Sequence, residues 1–257
     1  IFTEKAVTFI DENRSRPFLL YLAHTAPHLP LVPGDAHKGH SKAHAYGDVV
    51  EELDDSVGRV MAALRANGLE RNTLIIVTSD NGPWFEGDAG GLNGRKGSAG
   101  FDGGYRVPFI ARFPGIIPKG ISSSAIAMAI DIFPTVLSYA GLPLPIGVEI
   151  DGRGLGSVLA GGPTSPHDHL LLFNNEDVAA IRTQRWKLVA RSHYRTLDVP
   201  LSAVGYTPLF DMLNDREERF AANQNEPDMV TTLRKLLADE QKRFESLRTR
   251  AAKPFAY

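Results

Sequence analysis

Asp80 and Asn81 end the segment Thr73-Leu-Ile-Ile-Val-Thr-Ser-Asp-Asn-Gly-Pro83. A carboxylate next to an amide oxygen is a reasonable half-site for a hard divalent cation such as Ca²⁺ or Mg²⁺, which prefers oxygen ligands. Leu74 to Val77, apolar and β-branched at three positions, precedes the pair. So short an apolar run, bounded by a turn signal, suits a strand buried on both faces in a parallel sheet. Ligands of open α/β sheets bind beyond the carboxyl ends of such strands. Taken alone, Asp-Asn-Gly is better read as a turn.

Other chemistry-bearing residues are ambiguous alone. His24 and His28 are four apart in His24-Thr-Ala-Pro-His28-Leu-Pro30. The prolines exclude a helix and no Glu follows His24, so this is not a zinc-protease motif. His37, His40 and His44 fall in a Gly/Lys/Ser-rich stretch that reads as a solvated loop. Trp84 to Gly104 holds eight glycines and little apolar periodicity; loops this long are usually functional or disordered. At its centre is Gly94-Arg-Lys96-Gly-Ser98. Gly follows Lys96 where a P-loop has Ser or Thr, and Lys96 stands where a nucleophile elbow has its first glycine. As a bare pattern, Lys96 is a solvated lysine.

The elements that must position these residues come next. A helix is expected from Thr3 to Asn13, capped by Thr3, with Ala6, Val7, Phe9 and Ile10 on one stripe. Pro17 leads into a second buried strand, Phe18 to Ala23. From Ala45 to Asn67, Val49, Leu53, Val57, Val60, Met61 and Leu64 recur at helical spacing, and Gly68 caps the end. Glu51, Glu52, Asp54 and Asp55 read as this helix's solvated acidic face. Val107 to Phe113 is a further strand, and Asp131 to Gly141 a short helix with Pro134 in its first turn.

Composition shifts near Gly161-Gly-Pro-Thr-Ser-Pro166, which places a boundary between domains 1–165 and 166–257. Beyond it lie short strands, His169 to Phe173, Val178 to Thr183, Trp186 to Arg191 and Leu209 to Leu213, then a helix from Asp228 to Leu247. The tight Gln184-Arg185 connection predicts antiparallel pairing, so this part reads as a small α+β layer.

The chain has 257 residues, 43% hydrophobic and 23% charged, with a net charge of −2. That describes an ordinary globular protein, with no field that calls for nucleic acid or an anionic membrane. No apolar run reaches the length of a membrane span. There is no cysteine, which excludes disulfides and thiolate chemistry.

Several stretches together carry a resemblance. They are Pro17-Phe-Leu-Leu-Tyr-Leu-Ala-His-Thr-Ala-Pro-His28, Glu52-Leu-Asp-Asp-Ser-Val-Gly58, Thr73 to Pro83, Lys96-Gly-Ser98, Gly103-Gly-Tyr-Arg-Val-Pro108, Asp131-Ile-Phe-Pro-Thr135, Trp186-Lys-Leu188 and Leu209-Phe-Asp-Met-Leu-Asn-Asp-Arg-Glu-Glu218. In this order the chain resembles the second half of the sulfatase family, in the alkaline-phosphatase-like superfamily. The resemblance implies an α/β fold: a mixed sheet flanked by helices, followed by the small antiparallel-sheet-plus-helix subdomain.

The same resemblance implies that Asp80 and Asn81 are ligands of the active-site cation, typically Ca²⁺ with Mg²⁺ possible. His28 would contact the sulfate and leaving-group oxygens, and Lys96 would bind the sulfate. Five residues separate Lys96 from Asp102 where the family has four, and Asp102 replaces the commoner Glu, so Arg95 stands as a second candidate for the lysine's role. The family's nucleophile, a formylglycine made within Cys/Ser-x-Pro-x-Arg, has no counterpart here. The expected partners are a sulfate ester and an N-terminal half carrying that nucleophile. Alone, the chain is expected to bind such esters poorly and to hydrolyse nothing. A periplasmic, secreted or lysosomal location is implied. The alternatives are a phosphate or phosphonate ester hydrolase of the superfamily, or a non-catalytic module on the same scaffold.

Overall fold

The computed structural model describes residues 1–174, 177–194 and 197–251. The chain forms two compact units, residues 1–76 with 111–120, and residues 77–110 with 121–257.

In the first unit, α1 (Phe2–Asn13) and α2 (His44–Ala66) follow the expected apolar stripes. Ile10, Ala63 and Leu64 form its buried core, against which Val7, Phe18, Leu20, Val60, Leu69 and Ile75 pack. Gly68 ends α2 as expected: it takes φ +70°, and Leu69 N–H reaches back to Leu64 O at 2.8 Å. Thr3 does not cap α1. Ile1 holds that position, and the Thr3 hydroxyl instead meets Ser56 Oγ at 2.7 Å. A side chain drawn into a contact between helices is lost to its own helix end.

Phe18 to Ala23 is extended but belongs to no strand. A segment becomes a strand only when a neighbour completes its ladder, and no described residue does so here. Its side chains still alternate. Phe18 and Leu20 pack on the helices, while Leu19 and Tyr21 are 74% and 87% exposed. The expectation of a strand buried on both faces fails at this point. It also fails at β1 (Ile75–Thr78), which is only partly buried.

β2 (Ser98–Ala99) and the single-turn α3 (Asp102–Tyr105) organise the glycine-rich loop. β3 (Phe109–Arg112) pairs with β1 in a two-stranded sheet, and its first two residues are exposed. With one partner strand, neither has the cover of a central position. α4 (Ile132–Tyr139) starts after Asp131, as expected, with Pro134 in its first turn. Short α5 (Gly156–Leu159) follows.

The second unit is built on an antiparallel sheet of β4 (His169–Asn174), β5 (Asp177–Thr183), β6 (Trp186–Val189) and β9 (Leu209–Asp211), in that order. Leu171, Ile181, Leu188 and Leu209 lie opposite one another across all four strands. This row packs against Val230, Leu233 and Leu237 of α6 (Pro227–Ala251). The other face carries Leu172, Ala180, Val189 and Phe210, and it packs on Phe101 and Tyr105 of the glycine-rich loop. β7 (Ser192–Tyr194) and β8 (Leu197–Val199), absent from the sequence reading, extend β2 into a three-stranded sheet. No described helix is long and apolar enough to cross a membrane.

An extended segment with an unpaired backbone and exposed apolar side chains invites pairing with another chain. Residues 1–257 alone are therefore expected to self-associate on size-exclusion chromatography. Leu19→Thr with Tyr21→Thr should shift the profile toward monomer. A monodisperse wild-type monomer with a cooperative thermal transition would contradict this.

Candidate active site

Gly82 lets the site's two loops touch, and Gly103 lets the second fold on itself. Gly82 N–H donates to Gly104 O at 2.8 Å, and Lys96 N–H to Pro83 O at 2.9 Å. A Cβ on Gly82 would stand 1.9 Å from Gly103 O. A Cβ on Gly103 would stand 2.2 Å from Gly94 O, so neither position admits a side chain without moving backbone. The turn after β1 and the loop bearing Lys96 are thereby locked together.

They enclose a cavity of about 160 Å³, lined by Asp80, Asn81, Lys96, Gly97, Ser98, Gly104, Tyr105 and Asn174. Of the predicted site residues, Asp80, Asn81 and Lys96 thus come together. Arg95 does not. Its guanidinium donates to Trp84 O at 3.1 Å and Gly87 O at 3.0 Å, and it lines a separate cavity with Phe85, Asp88 and Asn93. The one-residue difference in spacing leaves the lysine, not the arginine, in the cavity with Asp80. His28 belongs to the first unit, where it is exposed and its Nδ1 lies 2.9 Å from Leu29 O.

The donor set fits a hard cation in part. Asn81 N–H and the Ser79 hydroxyl both donate to Asp80 Oδ1, at 2.9 and 3.4 Å, and Oδ2 has no described hydrogen-bond partner. Asn81 Nδ2 donates to Gly82 O at 3.1 Å, which turns the amide so that its oxygen is the free end. Two oxygen donors are short of the roughly six to eight that Ca²⁺ takes. Among the described residues, no group of three or more His, Cys, Asp or Glu could hold a metal. Lys96 is half-buried, and its ammonium has no described carboxylate within ion-pair distance.

Behind the cavity lies a buried charge cluster. Lys187 of β6 is fully buried, with Nζ 2.7 Å from Asp102 Oδ1 and 2.5 Å from Glu218 Oε1. Glu218 Oε2 accepts from Asp102 N–H at 2.8 Å. The Glu218 backbone is left-handed, φ +56°, a conformation that side chains rarely adopt and that turns this carboxylate inward. The cluster fastens α3, and with it the glycine-rich loop, to the antiparallel sheet. Burial pushes the Glu218 carboxyl up most, and neighbouring Asp102 adds to the rise; Lys187 opposes it. Tyr105 is pushed up to about 12 by burial, and its hydroxyl donates to Phe173 O.

Comparison with known proteins places the chain in a family. The family model described as "Sulfatase" matches residues 1–142. The chain belongs to the sulfatase family. It is 34% identical over 242 residues to an arylsulfatase of Hemicentrotus pulcherrimus, covering 90% of this chain and 42% of that one. It is 29% identical over 268 residues to an N-acetylgalactosamine-6-O-sulfatase of Bacteroides thetaiotaomicron, covering 97% and 51% respectively. The structure of Ps i-CgsB in complex with k-i-k-neocarrahexaose superposes with a TM-score of 0.79 at 26% identity, covering 93% of this chain and 54% of that one. The chain thus spans about half the length of the relatives it matches. The alkaline-phosphatase-like fold is confirmed by these structural neighbours.

Sequence reasoning missed several residues in and behind this sulfatase-family cavity. Asp102 served only to mark spacing, and Lys187 and Glu218 only as members of motifs. Ser98 and Tyr105 likewise entered only as members of motifs, and Asn174 carried no signal, because nothing local says that the end of β4 meets the glycine-rich loop.

Lys187→Met should destabilise the protein by about 3–5 kcal/mol, since it removes the lysine held between the buried Glu218 and Asp102 carboxylates and leaves Asp102 with the longer Arg106 contact at 3.8 Å. Urea denaturation checks this, and a loss under 1 kcal/mol, roughly what an exposed ion pair is worth, would refute it. A pH dependence follows from Glu218. Its folded pKa lies above its unfolded value, so its contribution is complete below the ordinary carboxyl range and is lost as pH rises through the raised value. Glu218→Gln should therefore flatten the decline in urea midpoint across that window. Parallel wild-type and variant profiles would show that Glu218 does not titrate there.

Proposed function

We propose that this chain supplies the sulfate-binding and part of the cation-binding apparatus of a sulfuric ester hydrolase. The observation that carries the reading is the Lys96 ammonium, with no described carboxylate in ion-pair reach, sharing one cavity with Asp80 and Asn81 in a chain of the sulfatase family. A sulfate monoester presents sulfuryl oxygens that only accept hydrogen bonds and carry negative charge. A half-buried ammonium held by a rigid loop meets both needs, and the partly dry surroundings strengthen the attraction.

Asp80 and the Asn81 amide oxygen would hold a divalent cation, with further ligands from outside this chain. Bound there, a cation such as Ca²⁺ would stabilise charge on the ester's oxygens as a Lewis acid. His28 is proposed as the proton donor to the leaving oxygen, a task imidazole side chains commonly perform. A formylglycine nucleophile, if used, comes from residues other than these, since the chain has no cysteine and no Ser-x-Pro-x-Arg. The chain by itself is expected to bind sulfate esters weakly and to turn none over.

Saturation-transfer NMR with methyl sulfate, the smallest such ester, tests the anion seat. Wild-type chain should give a weak, saturable signal, and Lys96→Ala should lose it at least about tenfold, the usual scale for one charge-assisted hydrogen bond. An unchanged affinity in Lys96→Ala would overturn the reading.

A further inference from the structure

The segment that carries His28 has little packing of its own. Phe18 to Ala23 joins no strand, and His28, Leu29 and Pro30 are exposed. An exposed stretch of this kind samples many conformations unless side chains elsewhere hold it. Two residues of α2 supply such holds, within the first unit. Buried Ser56 has its Oγ 3.1 Å from His24 Nε2 and 2.7 Å from Thr3 Oγ1 of α1. Glu52, on the exposed acidic face of α2, accepts from Gly34 N–H at 2.8 Å. Glu52 and Ser56 are four residues apart, so one face of the helix holds the chain on both sides of His28. Between the holds, His28 N–H donates to Thr25 O at 3.1 Å, which passes the fixed place of His24 on to His28 in one turn. The two holds also stand close to each other. Burial keeps the His24 imidazole below its ordinary value, and the Glu52 carboxylate opposes that.

The ring of His28 has a defined proton. Its Nδ1 lies 2.9 Å from Leu29 O, and a carbonyl oxygen only accepts, so Nδ1 carries the hydrogen and Nε2 is the other, open nitrogen. We propose that Ser56 and Glu52 are positioning residues for His28: they clamp the segment from His24 to Gly34 onto α2 and so fix the Nδ1–H tautomer of the His28 ring. The inference rests on the proposed role of His28 and adds the residues that hold it ready. A ring whose Nδ1–H is committed to backbone presents Nε2 alone to a leaving oxygen.

Long-range ¹H–¹⁵N correlation of the histidine rings in the 257-residue chain, at a pH where they are neutral, reads the tautomer directly. His28 is assigned by its absence from the spectrum of His28→Asn. Wild type should show the Nδ1–H form. Glu52→Ala and Ser56→Ala should each lose that pattern in favour of Nε2–H, the form a free imidazole prefers. Glu52→Gln keeps an oxygen that accepts from Gly34 N–H and should restore the wild-type pattern, whereas a role resting on general stability would not follow that hydrogen bond. Asp55→Ala, at an exposed position on the same helix, should change nothing. Wild-type His28 in the Nε2–H form, retention of Nδ1–H in Glu52→Ala, or its loss in Glu52→Gln or Asp55→Ala would overturn the inference. Glu52 is exposed, so its variants decide the matter even if Ser56→Ala does not fold. The ring spectra involve no sulfate. A lost clamp therefore leaves the Lys96 anion seat standing, and an unchanged methyl sulfate affinity in Lys96→Ala leaves the clamp standing.

Discussion

The ammonium of Lys187, enclosed between the carboxylates of Asp102 and Glu218, is the constraint on which the candidate site depends. Each charge in a dry interior is costly unless partnered, and two carboxylates around one lysine leave little freedom for any of them. Asp102 opens the single turn of α3, Lys187 stands on a central strand, and Glu218 follows β9. Three stretches far apart in the chain are thereby fixed at one point. The glycine-rich loop between them would otherwise have few buried apolar contacts to hold it.

That fastening separates two tasks. The antiparallel sheet gains its stability on one face, where a row of aliphatic side chains meets α6. Its other face carries Phe210 and Val189 against Phe101 and Tyr105 of the loop. The loop can then spend its residues on backbone approach and polar groups. Gly82 gives up a side chain so that two turns can touch, Gly103 so that the loop can fold on itself, and Lys96 has no described carboxylate partner. A lysine whose own ion pair fixed the loop would be unavailable to an anion.

The proposed sulfate site bears on the variety of the relatives. They include an arylsulfatase and an N-acetylgalactosamine-6-O-sulfatase. In the proposed reading, Lys96, Asp80 and Asn81 would serve the sulfate, the group common to all such esters. Discrimination among leaving groups would then fall to residues around them. Among the described residues, the cavity around those three is lined by Gly97, Ser98, Gly104, Tyr105 and Asn174.

The sequence by itself determined whatever follows from local periodicity and turn chemistry. The spacing of Val49 to Leu64 fixed α2, Gly68 ended it, and Gln184-Arg185 set the β5–β6 hairpin. Motif order pointed to the family and to Asp80, Asn81 and Lys96. Tertiary structure decided the rest. Phe18 to Ala23 reads as a strand, yet a strand needs a neighbour, and apolar alternation says nothing about whether one is there. Thr3 reads as a cap, yet Ser56 on another helix draws its hydroxyl away. Arg95 and Lys96 are adjacent cations that sequence spacing could not separate, and the loop's path sends them to different cavities. Lys187 lies between two apolar residues of a strand, a position that in isolation faces solvent. Only the approach of Asp102 and Glu218 makes it a buried cation, because charge pairing depends on distance in space and leaves no period in the chain.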